Sequence, residues 1–146
     1  MAEAAPVKKQ PVSLKSLMTP SKTVKIDYPG CEGMTVDLCH LAREELVKLR
    51  KRCLISKWNK KTRQPEEQLD DDKFIVEYCK SVIKGWSGLK YSYLEELLLV
   101  DTSGFDPNDC LPYTRENAEL LMKNATDFDT WVTETVGDLE NFTRSK

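Results

Sequence analysis

The chain has 146 residues, of which 40% are hydrophobic and 32% are charged, and its formal net charge is −2. This balance excludes a fully disordered chain and a membrane protein. A chain of this length buries enough surface to fold as one domain without disulfides or a structural metal.

Residues 1–22 contain three prolines and four lysines but few large apolar groups, which predicts a flexible N-terminal tail. Within this tail, Leu14, Leu17 and Met18 have the spacing of a short helical turn that docks on another surface. The alternative is an unstructured terminus, which is the common state of chain ends.

From Thr23 onward, hydrophobic and polar residues alternate on both sides of a Pro/Gly turn at residues 29–33. Two alternating runs joined by such a turn predict a β-hairpin over residues 23–39 with one buried face. A lone hairpin is marginally stable in water, so we expect helices to cover that face.

Five amphipathic helices are predicted after the hairpin, because apolar residues recur at intervals of three and four. Asp70 and Thr114 are placed to cap two of them, and Gly85 is placed to end the second. The segment ISKWNKKTRQPEEQL between the first two helices has the composition of a polar connection. The predicted helices span about 41–54, 68–85, 91–100, 114–124 and 126–143. The expected fold is mainly α, or α+β by strict count: a small N-terminal hairpin packed on about five helices in a single domain of residues 23–146.

The stretch GWSGL, residues 85–89, is expected to form a structural corner. Trp86 continues the apolar stripe of the second helix and should therefore pack inward. Gly85 and Gly88 allow the chain to turn sharply towards the leucine-rich segment that follows.

The sequence contains no recognisable catalytic motif. His40 has no nucleophile at a familiar spacing, and Cys39 beside it would point to the opposite face of a strand. The Asp-rich loop at 101–109 does not match a calcium-binding loop, because Pro112 stands where the bidentate glutamate should be. The six glycines do not fit a phosphate-binding loop. We therefore expect a protein that is not an enzyme and has no cofactor or metal.

The cysteines and the apolar runs bear on location. Five cysteines without C-x-x-C spacing are typical of buried thiols in a reducing compartment. No apolar run approaches the roughly 20 residues of a membrane-spanning helix, and the N-terminus lacks a secretory signal. A cytoplasmic protein without a membrane partner is the expectation.

Charge is distributed unevenly along the chain. Residues 1–63 carry 14 Lys/Arg against 6 Asp/Glu, whereas residues 64–146 carry 8 against 18. The densest basic segment, residues 48–63, surrounds a tryptophan. It is interpreted as a solvated helix face or as a patch for self-association or a charged partner. A nucleic-acid-binding surface is the alternative, which the acidic half disfavours. The candidate residues are Lys48, Arg50, Lys51, Arg52, Lys57, Trp58, Lys60 and Lys61.

The second half of the chain resembles the tail assembly chaperones of long-tailed, siphovirus-type bacteriophages. The resemblance rests on FIVEYCKSVIKGWSGL (residues 74–89), a polar loop, and LPYTRENAELLMKNATDFDTWVTETVGDLENF (residues 111–142). The upstream hairpin and the segment LAREELVKLRKRC are also similar to the family pattern. The chain departs from it at YSYLEELLLVD, an extra hydrophobic segment after GWSGL.

The resemblance implies a binding protein that coats the tape-measure protein, keeps it soluble and brings tail-tube subunits to it. It also implies a location in the host cytoplasm and absence from the mature virion. The residues agree with a binding role, because runs of consecutive apolar residues in the helices cannot all face inward. The candidate partner-binding residues are Leu94, Leu97, Leu98, Leu99, Leu120 and Met122.

Overall fold

A computed structural model describes residues 13–18 and 22–143, so that most of the predicted tail lies outside the described residues. Within these ranges the chain forms seven helices and five strands in two antiparallel sheets. The fold is α+β, and the prediction of a mainly α fold with a single hairpin is wrong. In chain order the elements are α1 (Leu14–Leu17), β1 (Thr23–Asp27), β2 (Thr35–Cys39), α2 (Arg43–Arg52), β3 (Leu54–Asn59), β4 (Gln64–Leu69), α3 (Asp71–Val82), β5 (Ile83–Ser87), α4 (Tyr91–Leu97), α5 (Arg115–Asn124), α6 (Thr126–Gly137) and α7 (Glu140–Thr143).

The predicted N-terminal hairpin is confirmed as β1 and β2, which pair antiparallel. β2 is the central strand of a three-stranded sheet in the order β1-β2-β5. Its residues Val36 and Leu38 are fully buried. Between them, Asp37 forms a salt bridge with Lys25 of β1, with Nζ 3.1 Å from Oδ1. The sheet therefore has one core face and one polar face, as the alternation predicts.

The strand β5 was not expected, because the prediction extended the preceding helix to residue 85. Helix α3 ends at Val82, and Gly85 lies inside the strand opposite Asp37. Lys84 has no partner in the ladder, since Ile83 pairs with Leu38 and Gly85 with Asp37. This bulge places Ile83 and Trp86 on the same buried face although they are three residues apart. The spacing of a bulged strand thus imitated the spacing of a helix.

The segment predicted as a polar connection is a second hairpin. We call it the arm: β3, β4 and the turn between them, residues 54–69. Residues 54–58 and 64–68 are all exposed, so neither face of the ribbon is buried. Asn59 organises the turn, where its side-chain oxygen accepts hydrogen bonds from the N–H groups of Lys61 (2.8 Å) and Thr62 (3.2 Å). Without a buried face there is no alternation of apolar residues, and the sequence pattern did not reveal the strands.

The helix caps follow the prediction more closely than the helix ends do. Asp70 accepts a hydrogen bond from the N–H of Lys73 at 3.2 Å, and Thr114 from that of Asn117 at 3.0 Å. The predicted helix 91–100 stops at Leu97. The predicted helix 126–143 breaks into α6 and α7, because Asp138 leaves the helix and its carboxylate accepts the N–H of Glu140 at 3.1 Å.

The corner at GWSGL joins the sheet to the loop beyond α4. Trp86 is buried, its Nε1 donates to the carbonyl oxygen of Leu111 at 3.0 Å, and its ring meets Tyr113 edge-on at 5.2 Å. Gly88 has a φ of +77° and lies against the backbone of Gly33. A Cβ at Gly88 would stand 2.1 Å from the carbonyl oxygen of Gly33, so only glycine fits there.

Replacement of Gly88 with alanine is therefore expected to be strongly destabilising. The variant combines left-handed backbone strain with a backbone overlap that no side-chain movement relieves, and we expect a loss of about 3 kcal/mol or more in unfolding free energy. Urea unfolding followed by circular dichroism measures this loss. Gly104→Ala is the matched control, since nothing lies within 4 Å of the added methyl group. Equal stability of the two variants would contradict the close approach at the corner.

Candidate protein-binding surfaces

An apolar groove lies between helices α2, α3 and α6. Its volume is about 410 Å³, within the range of roughly 300–1,000 Å³ that is usual for ligand pockets. The apolar groups are contributed by residues far apart in sequence, which the packing of α3 on α2 and α5 brings together. The apolar lining consists of Leu41, Leu46, Phe74, Ile75, Tyr78, Met122 and Val136.

Polar groups are few in the groove and stand among the apolar ones. The guanidinium of Arg50 lies over the ring of Phe74, 5.2 Å from its centroid. On the α6 side, Thr133 Oγ1 is 3.4 Å from Asp129 Oδ1, and Gly137 completes the wall. Burial raises the pKa of Tyr78 above its ordinary value, which keeps its hydroxyl neutral. The groove thus offers apolar contact with one cation and one carboxylate to orient an occupant.

The six predicted partner-binding residues do not form one surface. Leu94 and Met122 are buried, Leu97 and Leu98 are half-buried, and Leu99 and Leu120 are exposed. Leu94 belongs to the core because α4 packs its inner side against the body. Of the six, Met122 alone lines the groove. Helix α4 ends at Leu97, so Leu98 and Leu99 lie beyond it and do not continue its surface.

The predicted basic patch is divided between α2 and the arm. Lys48, Arg50, Lys51 and Arg52 are exposed on the helix, where Lys48 lies 3.9 Å from Glu45 and Arg52 lies 3.8 Å from Glu77. On the arm, Lys57, Lys60 and Lys61 surround Trp58, whose side chain is 63% exposed. Lys57 stands opposite Glu66 in the ladder. The positive surface is therefore partly neutralised at the arm.

The arm projects from the body on a narrow base. Cys53, directly before β3, is fully buried, and its carbonyl oxygen accepts the N–H of Asp70 at 2.8 Å. Beyond this base, Leu54, Ile55 and Trp58 expose apolar surface to solvent. A two-stranded ribbon without a covered face adds little stability, so its exposed side chains are available to a partner.

The remaining candidates for chemistry have structural roles. His40 Nδ1 lies 2.9 Å from the carbonyl oxygen of Val136, and the imidazole contacts the ring of Phe142. In the loop 101–109, Asp101 accepts the N–H of Ser103 and Asp106 that of Asn108, as in ordinary turns. Burial raises the pKa of the Cys79 thiol to about 12. Over residues 13–18 and 22–143, we find no group of three His, Cys, Asp or Glu side chains able to hold a metal ion.

Comparisons with known proteins give no relative for this chain. No family model, no curated protein and no solved structure matches it. Separately, none of the helices in the described part of the chain combines the length and apolar character needed to cross a membrane. The functional argument therefore rests on these surfaces and on the sequence resemblance.

The groove residues Phe74, Ile75 and Tyr78 belong to the predicted second helix. Their three apolar side chains are more than one core-facing row of a helix can bury, and this excess is the signal in the sequence for a groove. What the sequence did not indicate was the opposite wall, to which Thr133, Val136 and Gly137 belong.

Replacing Trp58 with serine should leave the fold intact. Because the ring is mostly exposed on the arm, we expect the unfolding free energy to change by less than about 0.5 kcal/mol. Leu49→Ala, at a position that is 1% exposed, should instead cost about 2–5 kcal/mol. Chemical denaturation of both variants measures the two changes in unfolding free energy. A large loss of unfolding free energy for Trp58→Ser would show that the arm belongs to the core.

Proposed function

We propose that this protein is a bacteriophage tail assembly chaperone. It binds the tape-measure protein, keeps that protein soluble in the host cytoplasm and helps to recruit tail-tube subunits, and it is absent from the mature virion. The observation that carries the proposal is the apolar groove between α2, α3 and α6, taken together with the resemblance of residues 23–146 to this family.

The groove suits an amphipathic helix. Such helices bind by placing side chains at i, i+3, i+4 and i+7 into an apolar channel. Phe74 and Ile75 are half-buried on one side, and Leu46 is half-buried on the other. A helix lying between them would complete the burial of these side chains. The opposite charges of Arg50 and Asp129 at the groove would select the direction of the bound helix.

A nucleic-acid-binding function is the second candidate, and the exposed Trp58 among Lys57, Lys60 and Lys61 is the observation that favours it. Basic side chains neutralise phosphates, and an exposed ring stacks on bases. Glu66 and Glu67 on the neighbouring strand oppose this role, as does the net charge of −2. A gel shift that weakens steeply with salt would support this candidate.

Coexpression with a tape-measure fragment tests the chaperone proposal. The native chain should keep the fragment soluble and should copurify with it. Ile75→Asp places a charge among the apolar groups of the groove, and we expect it to reduce the recovered complex by about tenfold, the effect of roughly 1.4 kcal/mol. The recovered complex is quantified by affinity pull-down and gel densitometry.

Leu99→Asp is the matched control, because Leu99 is fully exposed and does not line the groove. It should retain native recovery if the groove is the binding site. Loss of the complex with Leu99→Asp but not with Ile75→Asp would move the site to the segment after α4. Failure of the native chain to solubilise the fragment would exclude the chaperone function.

Self-association through opposite charges is part of the same proposal. The triple variant Lys51→Glu, Arg52→Glu and Lys60→Glu reverses charge across α2 and the arm. We expect it to weaken self-association about tenfold at low salt, with the difference lost near 1 M salt, where the Debye length is about 3 Å. Sedimentation velocity over a concentration series measures the effect.

The control for charge reversal is the triple variant Lys80→Glu, Lys84→Glu and Lys123→Glu, which changes exposed lysines of the acidic half. It changes the net charge equally but should not weaken association. Equal oligomers for the native chain and both variants would exclude the charged contact.

A further inference from the structure

Helix α1 is a single turn that displays its apolar side chains to solvent. Leu14, Leu17 and Met18 are 71%, 66% and 61% exposed. They stand at i, i+3 and i+4 and so lie on one side of the turn. The turn closes through the N–H of Met18 on the carbonyl oxygen of Leu14 at 3.1 Å. A four-residue helix is unstable in water on its own, and its three apolar side chains are largely exposed here, so docking would stabilise the turn.

The residue that leads into β1 lies close to the apolar groove. The carbonyl oxygen of Lys22 accepts the N–H of His40 at 3.3 Å. The imidazole of the same His40 contacts the carbonyl oxygen of Val136, and both Val136 and the adjacent Leu41 line the groove. His40 therefore lies between Lys22, directly before β1, and the edge of the groove.

The tether is long enough for docking within one chain. Met18 is four residues from Lys22, so it can lie up to about 14 Å away. This reach exceeds the width of one helix with its side chains, about 10–12 Å. Met18 therefore stays within this distance of Lys22, and such a short tether gives a local concentration in the millimolar range.

The character of the two surfaces matches. The turn offers three flexible apolar side chains, and the groove is lined mainly by apolar groups with space for several such chains. Lys15 is the only charged residue of the turn, and Asp129 supplies a carboxylate on the α6 wall. The turn contains no acidic residue that Asp129 would repel.

From this geometry we infer that residues 14–18 dock as a helical turn into the apolar groove of their own chain. The docked turn occupies the site that the proposed function assigns to a partner helix. To that extent the inference rests on the proposed function, although the docking itself does not. A partner helix must displace the turn, so an unoccupied groove is covered until a partner competes for it.

Disulfide trapping tests the docking in the chain alone. Leu17→Cys is combined with Ile75→Cys in a Cys110→Ser background, since Cys110 is the one exposed native thiol among the five. Mild oxidation should give a product of monomer mass, identified by non-reducing electrophoresis and peptide mass spectrometry. The control pairs Leu17→Cys with Leu99→Cys and should form at least about tenfold less, given the local concentration gained by docking.

Two outcomes of the trapping experiment would overturn the inference. Equal yields for the two pairs would show that the turn has no preference for the groove. A product found only at dimer mass would show that the turn docks on a second copy. Adding Leu14→Asp and Met18→Asp to the Ile75 pair should abolish the preference, and an unchanged yield would exclude apolar docking.

Peptide binding gives a second measurement that does not depend on engineered disulfides. A fluorescent peptide of residues 12–20 is titrated against the native chain and against Leu14→Asp/Leu17→Asp. If the turn covers the groove nine-tenths of the time, the variant binds the peptide about tenfold more tightly than the native chain. Equal affinities, or no binding to the variant, would contradict the inference. These readouts involve no tape-measure protein, so their failure is distinguishable from failure of the proposed function.

Discussion

The antiparallel pairing of β5 with β2 is the contact on which the rest of the structure depends. The N-terminal hairpin alone would be marginal in water, because two strands bury too little surface. With β5 in place, β2 becomes a central strand whose Val36 and Leu38 are fully buried. The same pairing draws α3 across the sheet, since the helix runs directly into the strand at Val82 and Ile83.

The corner after β5 transmits this constraint to the C-terminal half. Gly88 lies so close to the turn of the first hairpin that only glycine fits, and Leu89 then pairs through its carbonyl oxygen with the N–H of Leu111 at 2.8 Å. Trp86 is held at the same place by its hydrogen bond to Leu111. The loop between α4 and α5 is thereby fixed, and α5 and α6 pack where they enclose the core and form the far wall of the groove.

The protein combines a well-packed body with surfaces that its own fold leaves open. Phe128 and Val132 of α6 are fully buried, while the adjacent edge of the same helix lines the groove. The arm has no buried face and is anchored through Cys53 and Asp70. These surfaces differ in chemistry. The groove is apolar and concave, the arm is basic and projecting, and the N-terminal turn is small and apolar. These surfaces can be covered or uncovered without unfolding the core, which the proposed chaperone function would require.

Elements with local signals could be predicted from the amino-acid sequence. The first hairpin followed from alternation around a Pro/Gly turn, and the caps at Asp70 and Thr114 followed from side chains that accept nearby N–H groups. The strand β5 could not be predicted in this way, because a bulge at Lys84 gives Ile83 and Trp86 a helix-like spacing on a strand.

The arm was missed because a ribbon exposed on both faces needs no apolar alternation. Leu94 and Met122 were predicted on a binding surface, and the packing of distant elements places them in the core. The groove could not be predicted from local patterns either. Its walls come from α2, α3 and α6, and the sequence of one helix does not indicate which face of a distant helix it meets.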